Sequence, residues 1–180
     1  MINWWTMTQI IQPIDQQQQL EVIQRVDYYL QRAAEIYQQD FSAIPVYFDL
    51  KGRAAGMYLL QRQQRWIRFN PYIFSRYFDD CLHSTVPHEV AHYVTDMVHG
   101  LARIRPHGVE WKALMRALGS EPRVRADYSL EGMPVRRQQR FAYRCDCREH
   151  EITITRHKKI CSKRMRYFCQ QCGAAIVAIS

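Results

Sequence analysis

Apolar residues recur at threes and fours between Asp15 and Asp40, at Leu20, Ile23, Val26, Leu30, Ala33 and Tyr37. That period predicts an amphipathic helix, with Asp15 as its cap and the glutamines at 16–19 as solvated opening turns. Three β-rich runs follow, at 44–50, 56–61 and 66–70, separated by turn signals at Lys51-Gly52 and 62–64 and stopped by Asn70-Pro71. They predict an antiparallel meander. A short helix over 72–78 leads into a longer one, which Ser84 or Thr85 caps and in which Pro87 occupies the first turn. Val86, Val90, Val94 and Met97 share one side of that helix and form its core face. A further helix over 108–118 ends at Gly119. Residues 120–135, with Pro122, Gly132 and Pro134, have no period and form a connecting segment packed on the core. Near the C-terminus, 151–155 alternates polar and apolar, and 165–168 does so more loosely, as two strands of a hairpin would.

Charge divides the chain. Residues 1–135 balance basic against acidic side chains, whereas 136–180 carry an excess that equals the whole net charge of +8. The expected organisation is an arm over 1–14, with Trp4, Trp5 and Ile10 as docking candidates, a domain over 15–135 and a small basic domain over 136–180. The N-terminus has no basic start, apolar stretch or small-residue cleavage site, and no apolar run is long enough to span a bilayer. The expectation is a cytoplasmic protein that does not engage a membrane.

Candidate chemistry centres on His88-Glu89-Val90-Ala91-His92. One helical turn separates the two histidines, so both imidazoles can reach one Zn²⁺ at about 2.0–2.1 Å. Glu89 lies about 100° round the helix, placed to take a proton from a zinc-bound water. The polar face carrying the histidines lies opposite the valines, which favours a metal site over a buried histidine pair. A third ligand is required. The metzincin spacing is excluded, because Thr95 and Val98 stand where its glycine and histidine belong. His99 is about 16 Å along the helix from His88, too far to share the ion. His107, at the start of the next helix, is the favoured ligand, and Glu110 is the alternative carboxylate. Tyr93 and Tyr58 are candidates to approach an oxyanion. Cys81 reads as a buried thiol and His83 as a local hydrogen-bonding residue. His150-Glu151 repeats half the pattern, but Ile154 stands where its second histidine would be.

His88-Glu89-x-x-His92 followed by His107-Gly108-x-x-Trp111 resembles the SprT family of zinc metallopeptidases, whose eukaryotic relatives include Spartan. The resemblance implies that His107 is the third ligand and that the fold is zincin-like. In such folds a small sheet lies beside the active-site helix, and its edge strand can hold an extended substrate. Spartan-like relatives cleave proteins crosslinked to DNA, so the resemblance also implies DNA-associated or DNA-crosslinked protein substrates.

The C-terminal domain is built on Cys145-x-Cys147 and Cys169-x-x-Cys172, two knuckles suited to a structural Cys₄ zinc ribbon. The first knuckle is one residue short of the usual spacing, which keeps His150, His157 and Cys161 as substitute ligands. A domain this small needs the metal to supplement its core. Its Arg and Lys side chains, with Arg136, Arg137, Lys158 and Lys159 as leading candidates, suit phosphate contact and predict DNA binding through the backbone. The expected protein is therefore α+β, a zincin-like metallopeptidase domain followed by a zinc ribbon, with one catalytic and one structural Zn²⁺ and Glu89 as general base. The competing reading is a non-catalytic, zinc-stabilised nucleic-acid-binding or regulatory protein. A third is a peptidase whose basic ribbon serves acidic protein partners.

Overall fold

The computed structural model describes residues 11–134 and 139–179. The chain divides into two compact units, Met1–Val135 and Arg136–Ser180. Both are mixtures of helix with a small sheet. Among the described residues no helix is long and apolar enough to cross a membrane.

Helix α1, Gln16–Tyr37, opens with a capping box: Asp15 accepts from the Gln18 N–H, and the Gln18 side chain accepts from the Asp15 N–H. It packs against the helix that carries the histidines. Its buried stripe is Val22, Val26, Tyr29, Leu30 and Ala33, rotated from the expected face, and Leu20 is 59% exposed. Tyr29 lies in the core on that observed face. The stretch before the helix is docked rather than loose over its last residues. Ile14 is buried and donates its N–H to the Pro71 carbonyl. Trp4, Trp5 and Ile10 lie outside the described residues.

The first sheet corrects the expected meander. Strands β1 (Val46–Tyr47), β2 (Gly56–Gln61) and β3 (Gln64–Phe69) lie in the order β1-β3-β2, and β1 runs parallel to β3. The reason lies in the loop after β1, which folds back along the start of the next segment. Leu50 N–H donates to Phe69, Asn70 N–H donates to Ala55, and the Asn70 amide donates to Gly52. These bonds bring the chain back on the far side of β3. The β2–β3 turn uses Arg62 and Gln63, both at positive φ, as tight hairpins require. β2 is thereby left on the sheet's edge, against the histidine helix.

Asn70 caps α2 (Pro71–Arg76), which stops short of the expected end at 78, and a further helix, α3 (Phe78–His83), occupies the stretch expected to connect it to the histidine helix. Helix α4, Thr85–His99, begins after Ser84. The Ser84 hydroxyl does not cap it but donates back to the Asp80 carbonyl. Val86, Val90 and Val94 are buried in the core, while Met97 is 43% exposed. Helix α5, Val109–Ala117, packs on α4 through Trp111, Leu114 and Met115. The segment after it has no regular structure and is pinned to the core by Tyr128, Leu130 and Met133.

In the second unit β4 (Arg140–Arg144) is central, between β5 (Glu149–Thr153) and β6 (Val177–Ala178). The expected strand at 151–155 starts and ends two residues earlier and turns directly into α6, Ile154–Cys161, a helix the alternating pattern concealed. The expected strand at 165–168 is reduced to a single bridge between Phe168 and Ala175. The buried apolar side chains here are Tyr143, Ile152 and Cys169.

Candidate metal centres and active site

Helix α4 presents His88 and His92 on one face, and the turn before α5 brings His107 to them. That turn is tight. His107 has φ of 56°, and the Gly108 N–H donates to the Arg105 carbonyl. A Cβ on Gly108 would lie 2.8 Å from that carbonyl oxygen, so only glycine fits. The three Nε2 atoms converge pairwise at 3.2 Å (His88–His92), 3.0 Å (His92–His107) and 3.0 Å (His88–His107). Imidazole nitrogens bound tetrahedrally at about 2.0–2.1 Å stand about 3.3 Å apart, so the set fits a zinc ion. Trp111 is buried behind the cluster. Its ring stacks on His92 and meets His88 and His107 edge-on, and its indole N–H donates to the His88 carbonyl.

Electrostatics favour the ligand state. Burial, then the charge of His107, pushes His88 down to about 4 against a hydrogen bond to the Arg123 backbone. Burial, then His88 and His107, pushes His92 down to about 3. His107 is lowered by burial and by Lys112. Each shift favours the neutral ring, the form that binds a cation.

Glu89 is 5% exposed. Burial raises its carboxyl to about 8, opposed by the Tyr58 backbone N–H, which donates to Oε2 at 2.7 Å. Glu89 and His88 line a cleft of about 820 Å³, walled on one side by residues 53–56 and on the other by the irregular segment containing Arg123 and Tyr128. Tyr128 stacks on Tyr77 and hydrogen-bonds to Asp80, which holds that wall in place.

The second cluster gathers Cys145, Cys147, Cys169 and Cys172, whose sulfurs lie within 4.8 Å of one another. The separations are 3.4 Å for Cys145–Cys147 and 3.7 Å for Cys147–Cys169. Thiolates about 2.3 Å from a tetrahedral zinc stand about 3.8 Å apart, so this set fits the same ion. At Cys145 the hydrogen bond from His150 and those around it outweigh burial and lower the thiol to about 5.

A family model, the SprT-like family, matches residues 26–138. Protein SprT of Vibrio atlanticus is 37% identical over 155 residues, covering 86% of this chain and 90% of that protein. Protein SprT of Pseudomonas paraeruginosa is 35% identical over 157 residues, covering 85% and 91%. The chain belongs to the SprT-like family.

Other candidates fall elsewhere in this SprT-like chain. Glu110 is not in the histidine cluster; its charge helps raise the Tyr37 hydroxyl after burial. His99 also packs on Tyr37. Both tyrosines proposed for an oxyanion are engaged. The Tyr58 hydroxyl donates to Asp96 at 2.6 Å and the Tyr93 hydroxyl to the Ser42 carbonyl at 3.0 Å. Cys81 is buried, with its thiol raised to about 11 by burial, and His83 bonds to the Asp79 carbonyl. In the second unit His150 Nε2 lies 3.1 Å from Cys145 Sγ, outside the four-cysteine set. His157 stacks on Phe141 and touches Cys161, a pair apart from that set. Lys158 and Lys159 are exposed on α6, whereas Arg136 and Arg137 lie outside the described residues. Sequence reasoning overlooked Asp96, which is 4% exposed and accepts from Tyr58, Arg65 and the Leu101 N–H. It also overlooked Gly56. An acidic residue two turns after Glu89 on the same helix was the available signal for Asp96.

Proposed function

We propose that this protein is a zinc metalloendopeptidase with a zincin-like first unit and a zinc ribbon that contacts nucleic acid. The observation that carries the reading is the convergence of three histidines beside a buried carboxylate that lies outside their cluster. A closed structural site needs four protein ligands and a catalytic one three. Among the described residues the histidine cluster has three, and neither Glu110 nor His99 belongs to it. That arrangement disfavours the non-catalytic reading.

His88, His92 and His107 would hold the catalytic zinc, which when bound polarises a scissile carbonyl and acidifies a water in its open position. Burial favours the neutral Glu89 carboxyl, and an adjacent dication favours the ionised one, so the group sits near the balance a proton carrier needs. Glu89 takes the proton of the attacking water and returns it to the leaving amine. The cleft beside it exposes the backbone of residues 53–56, against which an extended polypeptide can lie.

Cys145, Cys147, Cys169 and Cys172 would hold the structural zinc, and a reducing cytoplasm is the setting that keeps them as thiolates. Residues 136–180 carry eleven basic and three acidic side chains. Arg156 lies over the Tyr167 ring, and Lys158 and Lys159 are exposed on the same helix, α6, chemistry that supports phosphate contact and base stacking. Proteins bound or crosslinked to DNA are then the substrate class that uses both units. The test compares wild type with Glu89→Gln on a protein crosslinked to single-stranded DNA. Cleavage by wild type and none by the variant, with zinc content equal, supports the reading; equal cleavage by both overturns it.

A further inference from the structure

β2 and α4 are fastened through one residue. Tyr58 stands opposite Ile67 in the antiparallel ladder, and the Ile67 N–H turns away from β2 to the Pro45 carbonyl. Opposed residues in such a ladder orient alike, so the Tyr58 N–H also points off the sheet, over its open edge. There it meets Glu89 Oε2 at 2.7 Å. The other end of Tyr58 is held as well: its hydroxyl donates to Asp96 Oδ2, seven residues after Glu89 and on the same side of α4. Arg65 of β3 donates to the same oxygen at 2.7 Å.

Gly56 shapes the remaining side. It is not among the glycines with positive φ, so backbone conformation does not demand it. Space does. A Cβ there would lie 2.7 Å from both Cγ and Oε1 of Glu89 and 2.9 Å from Thr85 Cγ2. The Glu89 side chain lies flat against the strand because nothing projects from residue 56.

We propose that Gly56, Tyr58 and Asp96 are positioning residues for Glu89. Gly56 supplies the space, the Tyr58 N–H fixes one carboxylate oxygen, and Asp96 anchors Tyr58 so that its N–H stays aimed. The inference rests on the peptidase reading for its consequence, since an aimed carboxylate matters when it must move a proton. It is separate from that reading in its geometry.

The test uses the zinc-loaded full chain, ¹⁵N-labelled, and follows the Tyr58 amide proton, which a short bond to a carboxylate moves downfield. The same proteins are assayed on fluorescein-labelled casein for kcat and KM. Expected for Gly56→Ala is wild-type zinc content, an upfield Tyr58 amide, and kcat down about 100-fold with KM nearly unchanged, the signature of a misplaced group. Asp96→Asn and Tyr58→Phe keep the N–H but loosen the anchor, and both should shift the amide and lower kcat less. If Gly56→Ala does not fold, those two variants decide. A Tyr58 amide unmoved by Glu89→Gln, or wild-type kcat in every variant that folds, overturns the proposal. If the wild type cleaves neither casein nor the DNA-crosslinked protein, the peptidase reading falls, and the amide comparison alone decides whether the clasp on Glu89 exists.

Discussion

Trp111 donates its indole N–H to the carbonyl of His88, 3.2 Å away. One residue of α5 thus holds the backbone of the first candidate ligand from the adjoining helix while its ring supports all three imidazoles. Ligands held this way lose affinity when the support is removed, typically by about 10–100-fold. Trp111→Phe keeps most of the ring and loses the donor. It is expected to weaken zinc at the histidine site by about 10-fold and to lower stability by about 1–2 kcal/mol. Competition with a chromogenic chelator and urea titration measure the two effects separately.

Two candidate metal sites predict a simple stoichiometry. Wild type should hold about two zinc ions per chain, and His92→Ala and Cys172→Ala about one each. Elemental analysis of the purified proteins reads this directly. A wild-type value of one that His92→Ala leaves unchanged would remove the catalytic centre.

In the metal-free protein the first unit should be most stable near pH 6.5. Above that pH the titrating difference is Glu89, which holds its proton up to about 8 when folded and loses it near 4.5 when unfolded. Its contribution is present at low pH and disappears as pH rises toward 8. Below 6.5 the unfolded histidines take up protons that folded His88 and His92 refuse until about 4 and about 3. Two such histidines outweigh one carboxyl, so stability also falls as pH drops from 6.5 toward 4.5. All four tryptophans lie at or before position 111, so fluorescence in urea with chelator present reports on the first unit. A midpoint that rises steadily from pH 5 to 8 would contradict this assignment of charges.

Nucleic-acid contact through the second unit should be electrostatic. Changing Arg136, Arg137, Lys158 and Lys159 together to glutamine is expected to weaken binding to a single-stranded oligonucleotide. It should also flatten the salt dependence by up to about three units of slope, about 0.7 for each phosphate that is no longer neutralised. Fluorescence anisotropy over a salt series makes the measurement. Unchanged affinity and slope would assign the basic charge to solubility alone.

The helical period made much of the first unit legible. Val86, Val90 and Val94 placed the core face of α4, and the spacing of His88 and His92 left both on the opposite side. His107 was harder to place, because its position depends on a backbone turn at positive φ that Gly108 permits. Sheet order was not legible. The hydrogen bonds from Leu50 to Phe69 and from Asn70 to Ala55 that send β1 to the far edge join residues distant in sequence. The buried face of α1 was misread for a related reason: Leu20 fits the period as well as Val22, and only packing against the rest of the core separates them. In the second unit, Ile154 and Thr155 read as strand, but the chain had already left the sheet at Thr153.

The second unit buries Tyr143, Ile152 and Cys169 and little else, whereas the first has a core spanning α1, the sheet and four further helices. Scarcity of zinc would therefore act on the two halves unequally. The first would persist as a folded but idle scaffold, while the second would lose its structure and, with it, any grip on a polyanion. On the proposed function, resupply would restore the polyanion-binding unit and the cutting centre together, making metal availability a single control over both location and catalysis.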